Sequence, residues 1–356
     1  MPLSSSYLAL EQKAFSLGLS ALGVAASGPA RTFDLFAQCV VKGQCADLTY
    51  LTDDVELRRS PTSVLPDARS VIVVALSERT LKEESRDATA EIYSSPELQS
   101  SKEGVPVGRV SGYATCLDYH DLLKKKLRAL SHYLKAQFPA ASIRATVDTA
   151  PILEKNWAYE AGIGFVGLHS LVIHPKLGSR FFLGELLVSI DFEKLTGLPD
   201  RESYLAALNL RRRELGESLF DAEESAARCR YCRRCVDACP TNALVGDRTL
   251  DARRCLNYWT IETRNEIPEE IAAALNGRLF GCDLCQRVCP HNATLDIATP
   301  REIPLDSVEQ LDDASFRRLF KKTPVFRAHL EGLQRVAHTL MAQKTLARKN
   351  RVRRPE

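Results

Sequence analysis

The sequence predicts an α+β fold in three parts: a layered α/β domain over residues 1–210, a small cysteine-bearing domain over 211–300, and a short helical segment with a basic tail over 301–356. Three observations predict it. Short apolar or β-branched runs alternate with amphipathic helical stretches up to about residue 200. Eight of the eleven cysteines then fall between Cys229 and Cys289, and after Pro300 the pattern turns mostly helical. A chain of 356 residues also exceeds what one hydrophobic core usually spans.

The elements follow in order. Residues 3–22 place Leu8, Phe15, Leu19 and Leu22 at roughly helical spacing, so an amphipathic helix is expected. The unbroken run Ser70 to Leu76 reads as a fully buried strand. The polar stretch from Glu83 to Val105 reads as a loop. Asp118 is placed to cap a long helix with Leu122, Leu123, Leu127, Leu130 and Leu134 along one face. Strands are expected around 143–147, 170–173 and 184–190.

Apolar residues at 45% and charged residues at 26% are ordinary globular chemistry. Glu11, Gln12 and Lys13 interrupt the first apolar stretch, unlike the basic-then-apolar order of a signal peptide. No apolar run approaches bilayer length. The expectation is a cytoplasmic protein with no membrane partner, in which clustered cysteines point to metal rather than disulfides. No long apolar stretch asks for a partner, so a monomer is expected.

The first cysteine motif is Cys229-x2-Cys232-x2-Cys235-x3-Cys239-Pro240. The second supplies Cys255, then Cys282-x2-Cys285-x3-Cys289-Pro290. Thiolates three positions apart reach adjacent corners of one cubane, whereas the cysteine before proline leaves in another direction and ligates the other cluster in two-cluster ferredoxins. One 4Fe-4S cluster then takes Cys229, Cys232, Cys235 and Cys289, and the other takes Cys239, Cys255, Cys282 and Cys285. Eight thiolates fill two sites with none left over. Paired C-x2-C motifs also bind zinc, although a three-cysteine run closed by Cys-Pro and used twice suits cubanes better. Cys39, Cys45 and Cys116 lie outside the pattern and read as free thiols. The cysteine domain is therefore ferredoxin-like, and an external electron donor is implied.

A ferredoxin module needs far fewer residues, so the larger domain should hold whatever receives the electrons. Its densest stretches run from Val147 to Lys155, from Ala161 to Gly167, from His169 to Ile173 and from Phe181 to Glu185. Gly162, Gly164 and Gly167 follow a helix and lead into a strand, the reverse of the dinucleotide fingerprint. Asp148 stands at a strand end, where spacing alone allows a helix cap for the segment after Pro151 or a carboxyl facing a pocket.

These stretches, with the cysteine block, Leu250 to Cys255 and Phe280 to Gln286, resemble the epoxyqueuosine reductase family from about residue 50 to 335. The resemblance implies a cobalamin-binding first domain and reduction of epoxyqueuosine to queuosine in the wobble position of transfer RNA. Electrons would pass from the two clusters to cobalamin. It implies Asp148 as proton donor, in an apolar pocket that keeps it protonated, and Arg58, Val172, His174, Leu183 and Asn257 as cobalamin contacts. The chain departs from the family pattern at Leu168, at Gly112 to His120, and at Leu333 to Val336. A transfer RNA partner implies basic contacts, for which Arg211, Arg212, Arg213, Arg317, Arg318, Lys321, Lys322 and the tail from Lys344 to Arg354 are candidates. The departures leave a cobalamin-dependent reductase of a small molecule, akin to a reductive dehalogenase, as an alternative. A ferredoxin-like electron carrier is another.

Overall fold

Two faces of one buried sheet decide where everything else sits. The structure, a computed structural model, describes residues 2–100, 102–216 and 221–352, with side chains through Lys344. Among them the strands are β1 (Ala21–Ala26), β2 (Ser70–Ser77), β3 (Val107–Val110), β4 (Ile143–Thr146), β5 (Phe165–Val166), β6 (Val172–Ile173), β7 (Phe181–Val188), β8 (Arg278–Phe280) and β9 (Arg301–Pro304). The helices that frame them are α1 (Ser5–Ser16), α2 (Glu78–Tyr93), α3 (Tyr119–Gln137), α4 (Glu154–Glu160), α5 (Arg201–Glu214), α6 (Ala222–Cys232), α7 (Asp313–Phe320) and α8 (His329–Val352).

The main sheet has the order β1-β2-β7-β4 with antiparallel pairs. Every residue of β2 is buried, as its apolar run requires. Its side chains alternate between two cores. Ile72, Val74 and Leu76 face α1, α3 and α5, whereas Val71, Val73 and Ala75 face α4. Gly23 lets β1 approach the end of α4: a Cβ there would stand 2.1 Å from the Ala161 carbonyl oxygen.

A second sheet, β8-β3-β9, organises another core. Its middle strand comes from the first third of the chain, parallel to β8 and antiparallel to β9. Arg180 and Glu78 form a buried ion pair at 2.8 Å, and Gln286 and Ala298 bond to the same two side chains. That network ties the cysteine domain to the adjoining ends of the central strands β2 and β7.

The mixed α+β architecture agrees with expectation, and three local readings need correction. The helix over 3–22 stops at Ser16, because Gly18 turns into the left-handed region (φ 77°) and the alanine-rich run after it is captured as β1. The stretch from Glu83 to Val105 is not all loop, since α2 runs through to Tyr93. Its buried stripe is Leu81, Ser85 and Thr89; the two hydroxyls bond back to the carbonyls of Leu81 and Ser85, so a helical face exists without an apolar signal. The strand expected over 170–173 is shorter, because Ser170 takes a left-handed turn (φ 65°) and only Val172–Ile173 pair. Among the described residues no helix is long and apolar enough to cross a membrane.

Candidate active site

Helix α6 starts on Asp221, which accepts the N–H groups of Glu223 and Glu224 at 2.8 Å, and ends on Cys232. Arg233 then takes a left-handed conformation (φ 50°), which breaks the helix and turns Cys235 back toward Cys229. Cys229, Cys232, Cys235 and Cys289 line one cavity of about 220 Å³, shared with His169 and His291. That is roughly seven times the volume of a water molecule, more than one metal ion fills. Burial raises the pKa of Cys289, and the neighbouring Cys229 and Cys232 raise it further. Burial likewise lifts Cys255 to about 11, aided by Cys282 and Cys239. Burial followed by Cys282, Cys255, Cys235 and Cys239 raises Cys285.

The thiols thus fall into two neighbourhoods, one around the cavity and one around Cys255, Cys282 and Cys285, with Cys235 and Cys285 packed in a shared cluster between them. Among the described residues no three His, Cys, Asp or Glu side chains converge on a point suited to a single metal ion. Four thiols spaced around one cavity rather than gathered on a point suit a cubane there better than a tetrahedral zinc. Buried thiols with raised pKa values are costly to ionise alone, and iron supplies the compensating charge.

The second centre lies where β4 ends. Asp148 has a left-handed backbone (φ 57°), and its N–H donates to Glu154 Oε1 at 2.7 Å. Its Oδ2 accepts the Tyr119 hydroxyl at 2.5 Å and lies 3.1 Å from His120 Nε2. The other ring nitrogen of His120 lies 2.7 Å from Asp118 Oδ1. Tyr119 stacks on Phe182 from β7, with centroids 4.0 Å apart, which fixes the phenol over the sheet edge. Burial pulls His120 down, but the bonds to Asp118 and Asp148 outweigh it and raise the imidazole to about 9. Burial pushes Asp148 up, and the bonds from His120 and Tyr119 overcome that, so its carboxyl sits below the ordinary value. The apolar pocket expected around Asp148 is instead a ring of donors, with 41% of the side chain accessible.

Two more carboxyls lie beneath it. Burial and the Asp148 charge raise Glu154 to about 7. Glu185 of β7 is wholly buried, raised by burial and then by Glu154, and accepts the Thr146 hydroxyl at 3.1 Å. Tyr50 and Lys155 are accessible, yet desolvation dominates both shifts, raising Tyr50 to about 12 and lowering Lys155. Arg58 adds a buried guanidinium whose Nε has no partner and whose other nitrogens bond Tyr50 and Ala150 carbonyls. The Asp148 corner therefore keeps one unused buried donor, Arg58 Nε, that suits an added acceptor.

Comparison with known proteins decides the family. A profile described as "Epoxyqueuosine reductase QueG, DUF1730" matches residues 58–149, and one for a 4Fe-4S double cluster binding domain matches 228–292. The epoxyqueuosine reductase of Gloeobacter violaceus is 33% identical, covering 93% of this chain and 94% of that one. This chain belongs to the epoxyqueuosine reductase family. The Escherichia coli epoxyqueuosine reductase is 30% identical over 95% of this chain and 82% of its own. A solved epoxyqueuosine reductase with a tRNA-Tyr epoxyqueuosine-modified stem loop matches with TM-score 0.74 and 26% identity, covering 94% of this chain and 80% of that one. The Streptococcus thermophilus epoxyqueuosine reductase, at 24% identity and TM-score 0.74 over 98% of this chain and 86% of that one, has the same fold.

Against that family frame, Arg58 reaches the Asp148 loop through Ala150, and Leu183 lies two residues before Glu185 on one face of β7. Val172 is buried in the core behind α4. His174 is also buried, and its Nδ1 accepts the N–H groups of Lys176 and Leu177, so it holds a turn. Asn257 belongs to the cysteine side, accepting the Cys282 N–H at 2.5 Å. The basic candidates divide. Arg211 pairs with Glu11 and Glu214, Arg212 is buried against the Gly162 carbonyl, Arg317 pairs with Asp313, and Arg318 pairs with Glu97. Lys321 and Lys322 are exposed, and the Lys322 carbonyl accepts the Asp118 N–H at 2.8 Å, beside the His120 network. Of the tail, the side chains after Lys344 lie outside the described residues. Sequence reasoning missed Tyr119, His120, Glu154 and Glu185 as site residues. Glu185 carries the one legible signal, a carboxyl inside an otherwise apolar strand.

Proposed function

We propose that this chain reduces epoxyqueuosine to queuosine in transfer RNA, using two 4Fe-4S clusters on the eight cysteines and cobalamin held beside Asp148. The observation that carries the reading is Asp148 itself, turned out of β4 between Tyr119 and His120 with its side chain accessible. Converting an epoxide to an alkene breaks two C–O bonds, consumes two electrons and two protons, and releases the oxygen as water. Cobalamin, when bound, supplies a strongly reducing nucleophilic metal centre for the electron step. Arg58, Asp148, Val172, His174, Leu183 and Asn257 would border it, and the orphaned Arg58 Nε favours an added acceptor there.

The protein's own residues manage the protons. At neutral pH His120 carries its proton and Asp148 does not, so the hydrogen-bonded pair can pass one proton to the departing oxygen and recharge from solvent. Glu154 and Glu185 hold a second proton beneath the same loop. Lys321 and Lys322 offer the nearby positive charge that a polyanion seeks. In this division of labour, residues 1–210 hold cofactor and substrate, 211–300 carry electrons from an external donor, and 301–356 add basic surface. The test is turnover of an epoxyqueuosine-modified stem loop by the reconstituted protein. Asp148→Asn should retain cobalamin yet slow conversion by about a hundredfold or more; wild-type turnover in that variant would overturn the role.

A further inference from the structure

We propose that His169 donates its Nε2–H to the iron–sulfur cluster held by Cys229, Cys232, Cys235 and Cys289, and so raises that cluster's reduction potential. The inference rests on placing a 4Fe-4S cluster in this cavity, and goes beyond it by assigning a non-cysteine group that tunes it.

His169 lies in the tight turn between β5 and β6, where the Gly167 N–H donates to the Leu171 carbonyl at 2.9 Å. The Leu171 N–H donates to His169 Nδ1 at 3.2 Å. A ring nitrogen that accepts carries no proton, so the single proton of the neutral imidazole is on Nε2. That nitrogen is buried, with the residue 3% exposed, and has no hydrogen-bond partner. It belongs to a side chain lining the cavity of the four thiols. Gly167 makes room for the ring: a Cβ there would come within 3.1 Å of His169 Cε1.

A buried donor without an acceptor is costly, and native structures resolve such groups with a partner. The arginines of the cavity are donors too, so thiolate and sulfide sulfurs are the acceptors the site can offer. The preceding residue already does this, since the Leu168 N–H points to Cys229 Sγ at 3.4 Å. Its side chain is apolar and buried against Cys235 and Leu244. Beside that backbone contact, the side-chain polar contact from the first domain to the cluster falls to His169. Hydrogen bonds to cluster sulfur stabilise the more negative reduced state and raise the potential.

The test is an EPR-monitored redox titration of anaerobically reconstituted protein, with iron counted in every sample. In His169→Phe one cluster should shift to a lower potential while the other stays, and His169→Gln, which restores an N–H, should recover part of the shift. Protein labelled with nitrogen-15 histidine should show a weak nuclear coupling on one reduced cluster, lost in His169→Phe and retained in His291→Phe. Unchanged potentials in His169→Phe at full iron content would overturn the inference, as would a coupling that disappears with His291 instead. If His169→Phe takes up no iron, the labelled wild type decides alone, and absence of coupling refutes the donor. A Cys229→Ser variant that keeps both cluster signals would refute the cluster assignment itself, a separate failure.

Discussion

The Asp148 corner and the thiol cavity sit in one chain and are built on opposite chemistry. Around Asp148 the neighbours are a phenol, an imidazole, two carboxyls and a lysine, joined by short bonds and shifted in both directions. Around the thiols the cover is largely apolar, with Leu168, Leu244, Val236 and Val288 packed among cysteines whose ionisation burial opposes. A proton needs a chain of groups with matched affinities, because it moves only a bond length at a time. An electron needs a centre shielded from water, whose charge is set by a few fixed dipoles. The reaction couples the two, and the fold keeps their environments apart.

The sharpest way to break the comparison is to delete one side. Cys285→Ala should abolish reduction and lower bound iron by roughly half, since one four-iron site loses a ligand. Binding of the modified stem loop, measured by titration, should persist because Lys321, Lys322 and the Asp148 corner are untouched. Loss of both properties would show that the two corners fold as one unit.

A smaller effect is expected from the proton side. His120→Asn should lower kcat/KM by about ten- to a hundredfold, the low end of general acid contributions. The wild-type profile should fall as pH rises through about 9, where His120 loses its proton, and the variant should lack that limb. The same shift bears on stability. A folded-state pKa raised from about 6.5 contributes stability that is complete below that value and is lost as pH climbs through about 9. Thermal melts of the two proteins should therefore converge above that pH.

Next comes the surface. Replacing Lys321 and Lys322 together by alanine should weaken stem-loop binding by roughly tenfold at low salt and reduce the slope of affinity against salt by about two charges. An unaltered slope would place the nucleic acid elsewhere.

The smallest effect is expected at Glu154. Its folded pKa is about 7 against an ordinary 4.5, so its protonated form favours the fold, and that contribution is lost as pH rises through about 7. Glu154→Gln should remove this dependence, leaving a wild-type-minus-variant stability difference that declines from about pH 4.5 to 7 and is flat above.

The two corners were also unequally legible. The cysteine sets could be read because a cubane imposes short, fixed spacings on the chain and the remaining ligands close the count. Asp148 was visible only through family likeness, since spacing alone also allowed a helix cap. Its partners on α3 and β7 are brought in by the sheet, and no local pattern announces that His120 and Glu185 will flank the same turn. Helix α2 was hidden because hydroxyls stand in its buried stripe, and Arg211 and Arg212 looked like surface because a basic run does not reveal the Glu11 and Gly162 carbonyl that receive it.

Strand β3 has a consequence for how the molecule can be assembled. It is the middle strand of its sheet, yet both neighbours, β8 and β9, are made well over a hundred residues later. During synthesis β3 must wait without a partner until nearly the whole chain has emerged. A fragment cut at residue 211 would carry the thiols but lack the strand on which their domain is laid. The cysteine-bearing part is thus not a detachable cassette. Stable iron loading should therefore follow the meeting of residues 107–110 with strands made about 170 residues later, late in the protein's maturation.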